Sequence, residues 1–169
     1  MVIHCGPDAD LLKSDCEYLC HQVNCQGKMG SGIAKSIRDK WPIVYDSYRA
    51  KYEHAYWDAI SIYGGENASP SKIAELIIGD IQIVAIGDGR SVINMFAQSN
   101  YGYDGNRYTS YDAFMDCLAR INIEIPKGSK IGFPHGIGCG LGGANWEIIE
   151  GMIKVMLKDY DVHIYKLED

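Results

Sequence analysis

The sequence predicts an α/β fold: a mixed β-sheet with helices packed on both faces. Three observations carry that prediction. Short apolar runs of strand length alternate with longer stretches of helical periodicity. Two apolar runs are joined by Gly87-Asp88-Gly89-Arg90 in the manner of a hairpin. Two glycine-dense segments, His21 to Ala34 and Gly136 to Gly143, each separate a strand-like run from a helix-like one. Alternating strands and helices call for parallel neighbours buried on both faces, and the hairpin adds an antiparallel member.

Along the chain, Met1 to His4 reads as a first strand. Tyr18 to Val23 is a second, ending where the first glycine segment begins. Gly32 to Lys40 has helical character and stops at Trp41-Pro42, because proline disfavours helical geometry in its predecessor. Ile43 to Tyr52 is a further helix, and Gly64 to Ser71 carries the turn chemistry of a surface loop. Asp80 to Ile86 and Ser91 to Phe96 form the hairpin arms. A polar, aromatic segment, Gln98 to Arg107, leads into a helix from Tyr108 to Arg120. Lys130 to Phe133 is a short buried strand that enters the second glycine segment directly. Asn145 to Leu157 follows as a helix with Trp146, Ile149, Ile153 and Met156 on one face. His163 to Leu167 supplies the last strand.

Composition narrows the class. The 169 residues suffice for one domain, expected over 1–169. An apolar fraction of 47% with 22% charged residues is that of a soluble globular protein. No apolar run approaches the ~20 residues that span a bilayer, and Met1 to Gly6 does not read as a signal peptide. A net charge of −6 with scattered lysines and arginines argues against strong non-specific nucleic-acid binding. Cys5, Cys16, Cys20, Cys25, Cys117 and Cys139 form no CxxC pair, so reduced thiols in the cytoplasm are expected. A zinc set of Cys16, Cys20, His21 and Cys25 is opposed by strand geometry, which sends Cys20 and His21 to opposite faces. The protein is expected to be a cytoplasmic monomer without metal or cofactor, and a small anionic ligand held by local dipoles stays open to it.

The glycine segments carry the chemistry. Glycine lets the backbone approach a ligand, and the amides of a loop and a following helix start attract an anion. Two such loops point to a diphosphate held from both sides. Gly27 and Gly32 have the spacing that opens a P-loop, but Ile33 stands where that motif needs lysine, which disfavours a nucleotide triphosphatase. Gly138, Gly140 and Gly143 satisfy G-x-G-x-x-G, yet too little chain follows for a dinucleotide-binding half.

These segments, with Asp10-Leu11-Leu12 and the stretch Asn94 to Phe114, resemble the macro domain, the ADP-ribose-binding α/β fold built as a three-layer sandwich. The resemblance implies that Asp10 and Leu11 receive the adenine, although Asp10 also reads as a helix N-cap. It implies that Asn24, Gly30, Ser31, Gly32 and Ile33 wrap the distal ribose; Asn24 also reads as a turn residue. Gly136, Ile137, Gly138, Cys139, Gly140, Leu141 and Gly142 then form the diphosphate loop. Tyr101, Tyr103 and Tyr108 either cover the nucleotide, with Arg107 near a phosphate, or pack on the surface of a solvated loop.

The order His21-Gln22-Val23-Asn24-Cys25 is similar to the branch that acts on ADP-ribose 1″-phosphate, where a histidine just before the asparagine is implicated in phosphate removal. Imidazole suits that chemistry near neutral pH. The other reading of His21 is a core histidine. In an ideal strand His21 and Asn24 face opposite ways, so a shared ligand needs a bend near Val23. Asp104 and His135 are further proton-transfer candidates, although Asp104-Gly105 also reads as an ordinary turn pair and His135 likewise as a structural residue. Relatives that cleave ADP-ribose from glutamate use a lysine in the middle loop and an aspartate after Gly-Cys-Gly-Leu. Here Gly142 follows Leu141 and no lysine lies near Gln98, which disables that route. Removal of the terminal phosphate from ADP-ribose 1″-phosphate is the expected reaction. The alternatives are a non-catalytic ADP-ribose reader and a hydrolase that removes ADP-ribose from protein or nucleic acid.

Overall fold

In a computed structural model, which describes residues 2–102 and 104–167, six strands form a single mixed sheet in the order β1-β6-β5-β2-β4-β3. The strands are β1 (Val2–Cys5), β2 (Tyr18–Asn24), β3 (Ile81–Gly87), β4 (Arg90–Gln98), β5 (Lys130–Pro134) and β6 (Asp161–Tyr165). The helices are α1 (Gly32–Lys40), α2 (Pro42–Tyr63), α3 (Pro70–Ile77), α4 (Tyr111–Glu124) and α5 (Trp146–Met156). All pairings are parallel except β3 with β4, which is the expected hairpin. Among the described residues no helix is long and apolar enough to cross a membrane.

Two apolar cores, one on each face, make the three layers. Leu19, Val23, Val92 and Phe96 point toward Ile37, Val44, Tyr48 and Ile73 of α1, α2 and α3. Their strand neighbours Cys20, Ile93, Met95 and Ala97 point toward Phe114, Leu118, Ile149 and Ile153 of α4 and α5. The strict alternation follows from the two-residue period of a strand. It makes the central strands apolar on both sides, as the sequence predicts for a covered parallel sheet.

Four elements differ from expectation for local reasons. Helix α2 runs on past Tyr52 to Tyr63, because Ala55 and Ala59 continue its buried stripe with side chains too small to advertise it. Within the expected loop after Gly64, Ser69 caps α3 by accepting Lys72 N–H at 3.4 Å, and Pro70 occupies the first turn, where its missing N–H costs nothing. Helix α4 begins at Tyr111, capped by Ser110, since the Tyr108 and Thr109 amides are bonded elsewhere. Strand β6 begins two residues early, at Asp161, in register with Lys130.

Adjacent strands β2 and β5 are the point where the winding reverses. Chain leaving β2 enters α1 on one face, whereas chain leaving β5 enters α5 on the other. A crevice opens between two such connections at the carboxyl ends of the strands, the usual place for a ligand in an open α/β sheet. Both glycine segments lie there.

Gly132, in the middle of β5, sets how closely the segment after β1 can approach the sheet. A Cβ built on it would lie 2.5 Å from Leu11 Cδ1 and 2.9 Å from Cys16 Sγ. Both neighbours are buried, so neither has space to retreat. Gly132→Ala is expected to cost about 1–3 kcal/mol through overpacking, read as a lowered urea midpoint at unchanged slope.

Candidate functional site

The first loop is shaped from inside by Asn24. Its Oδ1 accepts the Gln26 amide at 2.9 Å and its Nδ2 donates to Lys28 O at 2.9 Å. The Tyr48 hydroxyl donates to Asn24 Oδ1 at 2.8 Å and accepts the Lys28 amide at 3.0 Å. Burial pushes the Tyr48 phenol up, which keeps it a neutral donor. Gly27, with φ +74°, turns the chain under Arg49, whose Nη1 donates to Gly27 O at 3.1 Å. A Cβ there would stand 2.4 Å from that nitrogen.

Beyond this clamp the chain opens to solvent. Gly30, Ser31 and Gly32 are exposed, and a Cβ on either glycine would meet nothing within 4 Å. Ser31 is the N-cap of α1 but makes no side-chain capping bond. The first amides of α1 therefore point out unfilled, with the positive end of the helix dipole behind them. The start of α5 is closed, because Asn145 Oδ1 accepts the Glu147 and Ile148 amides at 2.9 and 3.4 Å. Of the two helix starts that follow glycine loops, α1 alone is left open to an anion.

The second loop folds on itself and on its neighbours. Cys139 N–H donates to Gly136 O at 2.9 Å and Ala144 N–H to Gly138 O at 2.9 Å. Among the described residues the amides of Gly138, Gly140 and Leu141 donate to no protein acceptor. Ile137 is buried and anchors the loop in the α4–α5 core, while Cys139 is half-buried with its thiol turned back to Ile137 O at 3.5 Å. Gly142 is buried, and its absent Cβ would stand 2.1 Å from Thr109 Oγ1 and 2.5 Å from Gly138 O. Gly136 and Gly140, in contrast, border open space.

A third loop, from Ser99 to Ser110, joins the other two. Gln26 Nε2 donates to Ser99 O at 2.9 Å, which ties it to the first loop. The amides of Tyr108 and Thr109 donate to Gly142 O at 2.8 and 2.9 Å, which ties it to the second. Below both, Gln22 Nε2 donates to Gln98 Oε1 and Thr109 Oγ1 at 2.9 and 2.8 Å, and Thr109 Oγ1 donates to Gly138 O at 2.8 Å. Sequence reasoning missed Gln22, Gln98 and Thr109. The available signal was a glutamine in a strand whose every other residue points into a covered face.

The expected site residues separate along this edge. Asp10 is the N-cap of a short 3-10 helix, Leu11–Lys13, and its Oδ1 accepts the Leu12 amide at 2.9 Å; Leu11 is buried. The neighbouring Ala9 amide donates to Lys166 O at 3.2 Å, so Asp10 stands at the β6 end of the edge. His135 also belongs to that end: its amide donates to Tyr165 O at 2.8 Å and its ring packs 4.6 Å from Trp146. Burial and the nearby Lys166 charge hold its imidazole below the usual histidine value.

Asp104 stands at the opposite end, in the loop after β4. Its Oδ2 accepts the Tyr108 hydroxyl at 2.6 Å and its Oδ1 accepts the Asn106 amide at 3.0 Å. Both bonds favour the charged carboxylate and lower its pKa. Tyr108 is thus committed to Asp104, and Arg107 packs on Tyr111 with its guanidinium carbon 4.4 Å from the ring centre. Tyr101 is exposed, and Tyr103 lies outside the described residues. A cavity of about 370 Å³ bordered by Ser99, Arg107, Thr109 and Asp112 adjoins the loop.

His21 is not in the crevice. It is 0% exposed and points with Leu19 and Val23 into the layer beneath α1–α3. Its Nε2 donates to Asn94 Oδ1 at 2.5 Å. The Asn94 amide passes to Gln82 Oε1 at 3.0 Å, and the Gln82 amide to Ser47 O at 2.8 Å. Burial drives the imidazole down to about 4, and among the described residues Nδ1 has no hydrogen-bond partner. The bend sought near Val23 exists, because the β2–β4 register shifts between Val23 and Asn24. It turns Asn24 toward Tyr48 on the same face, so both side chains are spent on structure. The expectation that His21 faces a ligand is corrected: a covered strand face gives it no route to solvent.

No family model matches the chain. Among curated proteins it is 29% identical over 161 residues to the DNA ADP-ribosyl glycohydrolase of Mycobacterium tuberculosis, a match that takes in 92% of this chain. The chain spans about 40% of the length of that relative. It is 50% identical over 32 residues, 19% of the chain, to 16% of an ADP-ribose 1″-phosphate phosphatase from Aspergillus fumigatus. Among solved structures, the macrodomain of Mycobacterium tuberculosis DarG superimposes with a TM-score of 0.73 at 23% identity, covering 98% of this chain and 97% of that one. Thermosipho africanus DarTG in complex with ADP-ribose gives 0.68 at 20% identity, over 93% of this chain and 39% of that one.

The depressed imidazole has a consequence for acid stability. Above pH ~6.5 His21 is neutral in both folded and unfolded chains and contributes no pH dependence. Between that value and about 4 the unfolded chain binds a proton that the folded chain refuses, so stability falls as pH falls. The loss is expected to reach about 3 kcal/mol at pH ~4 relative to neutral pH. Urea titrations at several pH values should show this component in the native chain and lack it in His21→Gln.

Proposed function

The chain has the macrodomain fold, and on that premise we propose that it binds ADP-ribose along the crevice and hydrolyses the bond that links the distal ribose to DNA. The single observation that carries the binding is the pairing of an uncapped α1 N-terminus with free amides of the second loop, across the point where the sheet reverses. The resemblance puts adenine at Asp10 and Leu11, at the β6 end. From β6 across β5 and β2 to β4 is three strand spacings, about 14 Å. A ligand laid along that edge crosses the glycine loops with its diphosphate and presents its distal ribose to Gly30–Gly32 and the loop that holds Asp104.

In this reading Asp104 is the catalytic carboxylate. It accepts a proton from water as the oxygen bonds to the anomeric carbon, while the bond from that carbon to the DNA breaks; the departing DNA group keeps that electron pair and takes the proton on from Asp104. The bonds from Tyr108 and Asn106 keep the carboxylate ionised and aimed, and they also lower its basicity, so its contribution is position more than proton affinity. The open amides facing the diphosphate supply fixed positive potential without reorganisation. Asn24 acts on the ligand only through the loop it shapes. His135, at the adenine end, is far along the edge from the bond that breaks. The recognised unit is ADP-ribose itself, so the net charge of −6 and the absence of a basic stripe are no obstacle to a nucleic-acid leaving group.

Support for DNA as the carrier comes from the extent of the likeness to the glycohydrolase, 92% of the chain against 19% for the phosphatase. The phosphatase reading keeps one specific observation in its favour, the 50% identity within those 32 residues. Its histidine, however, is sealed in the core.

The test offers the purified protein single-stranded DNA carrying ADP-ribose and, separately, ADP-ribose 1″-phosphate, reading freed ADP-ribose and phosphate. Release from DNA is expected, with Asp104→Asn slowing it roughly 100-fold while calorimetric affinity for ADP-ribose is retained. Since the Asp104 carboxyl titrates below the ordinary carboxylate range, the rate should hold from neutral pH to below pH ~5 before its acid limb. Phosphate release without action on DNA would transfer the assignment to the phosphatase reading. Absence of ADP-ribose affinity would overturn both.

A further inference from the structure

At the β1–β6 edge of the sheet, three groups, Cys5, His163 and Asp161, meet on the face opposite α5. Val162 and Ile164 point into the α4–α5 core, so the alternate residues Asp161, His163 and Tyr165 point the other way. Cys5 joins them from β1, whose register sets Ile3 beside His163 and Cys5 beside Tyr165. His163 Nε2 lies 2.8 Å from Asp161 Oδ1, and His163 Nδ1 lies 3.7 Å from Cys5 Sγ. The carboxylate can only accept, so it fixes the proton on Nε2 and leaves the Nδ1 lone pair facing the thiol.

We propose that Cys5 is a reactive thiol of this protein, with His163 as its base and Asp161 as the residue that positions the base, and that its reaction partner is a low-molecular-weight disulfide. The arrangement is that of an activated nucleophile: thiol, imidazole within reach, and a third group that orients the imidazole. Access agrees with it, since Cys5 is half-buried, the His163 side chain is 12% exposed and the Asp161 side chain 47%. Among the described residues no other cysteine has an imidazole nitrogen against its sulfur. Cys16 meets the Tyr165 hydroxyl, Cys117 the Asp80 carbonyl and Cys139 the Ile137 carbonyl. Burial pushes the thiols of Cys16, Cys20, Cys25, Cys117 and Cys139 up, which keeps them protonated and slow.

The step balances without a further reactant. Cys5 passes its proton to His163 Nδ1, and the thiolate attacks one sulfur of the disulfide. A bond forms between Cys5 and that sulfur, the original sulfur–sulfur bond breaks, and the departing thiolate takes the proton from the imidazolium. Cys5 is oxidised to a mixed disulfide, and half of the partner is reduced to a thiol. Among the described residues, Asp15 from the loop after the 3-10 helix lies within electrostatic reach of His163, Tyr165 on its own strand stacks on it with ring centres 6.4 Å apart, and Lys130 of β5 faces Asp15, Cys16 and Asp161. Lys130 is paired with Asp15, which leaves Asp161 as the carboxylate in contact with the ring.

Dithiodipyridine added to the reduced native protein tests this, with released thiopyridone followed by absorbance and the modified cysteine located by mass spectrometry. Cys5 is expected to react first, and its rate to fall roughly tenfold in His163→Asn. Asp161→Asn, at an exposed position that leaves packing intact, should also slow Cys5 and shift the pH profile of the reaction. If first modification maps to another cysteine, or if Asp161→Asn leaves both rate and profile unchanged, the proposal is overturned. Circular dichroism reports whether His163→Asn folds, and where it does not, the Asp161→Asn result decides.

Discussion

The arrangement of the crevice depends on one buried bracket, in which Gln22 of β2 holds Thr109, and Thr109 holds the second glycine loop through Gly138. Three loops that leave different strands would otherwise be free to move independently, and a pyrophosphate held by backbone amides needs them fixed relative to one another. The bracket achieves this beneath the ligand surface. It leaves no room for a Cβ at Gly142, whose carbonyl also receives the Tyr108 and Thr109 amides. Two of the glycines that read as ligand contacts are therefore demanded first by packing: Gly138 against Gln22, and Gly142 against Thr109.

A second buried polar line, His21 to Asn94 to Gln82 to Ser47, crosses beneath α2 on the opposite face. It links β2, β4, edge strand β3 and α2 in a layer whose other side chains are mostly apolar. Its hydrogen bonds have fixed directions, so it specifies the register of β2, β4 and β3 more sharply than apolar contact alone. Here the histidine is a neutral donor. That role asks for depressed basicity and burial, the reverse of what proton transfer at an open crevice needs.

Much of the fold was legible because its signals are local. Glycine loops, the Gly87-Asp88-Gly89-Arg90 turn, the stop at Trp41-Pro42 and the apolar stripe of α5 each depend on a few consecutive residues. The misses share a cause. Helix α3 was hidden behind turn residues that proved to be its cap, and the second half of α2 is carried by alanines whose burial depends on close approach to the sheet. The partners of Gln22 are 76 and 87 positions away in sequence, beyond any local pattern.

Periodicity and glycine placement are properties of neighbouring residues, so the α/β class, the two phosphate-type loops and the chemical types available at the crevice follow from the order of amino acids. Which of those residues meets solvent follows from how the layers pack. Strand alternation assigns His21 to a face but does not say that α1–α3 cover that face, and an ideal strand does not reveal the bulge after Val23 that turns Asn24 inward. The same holds for Cys5, 158 positions from His163 in sequence, which parallel pairing of the first and last strands brings beside His163 and Asp161.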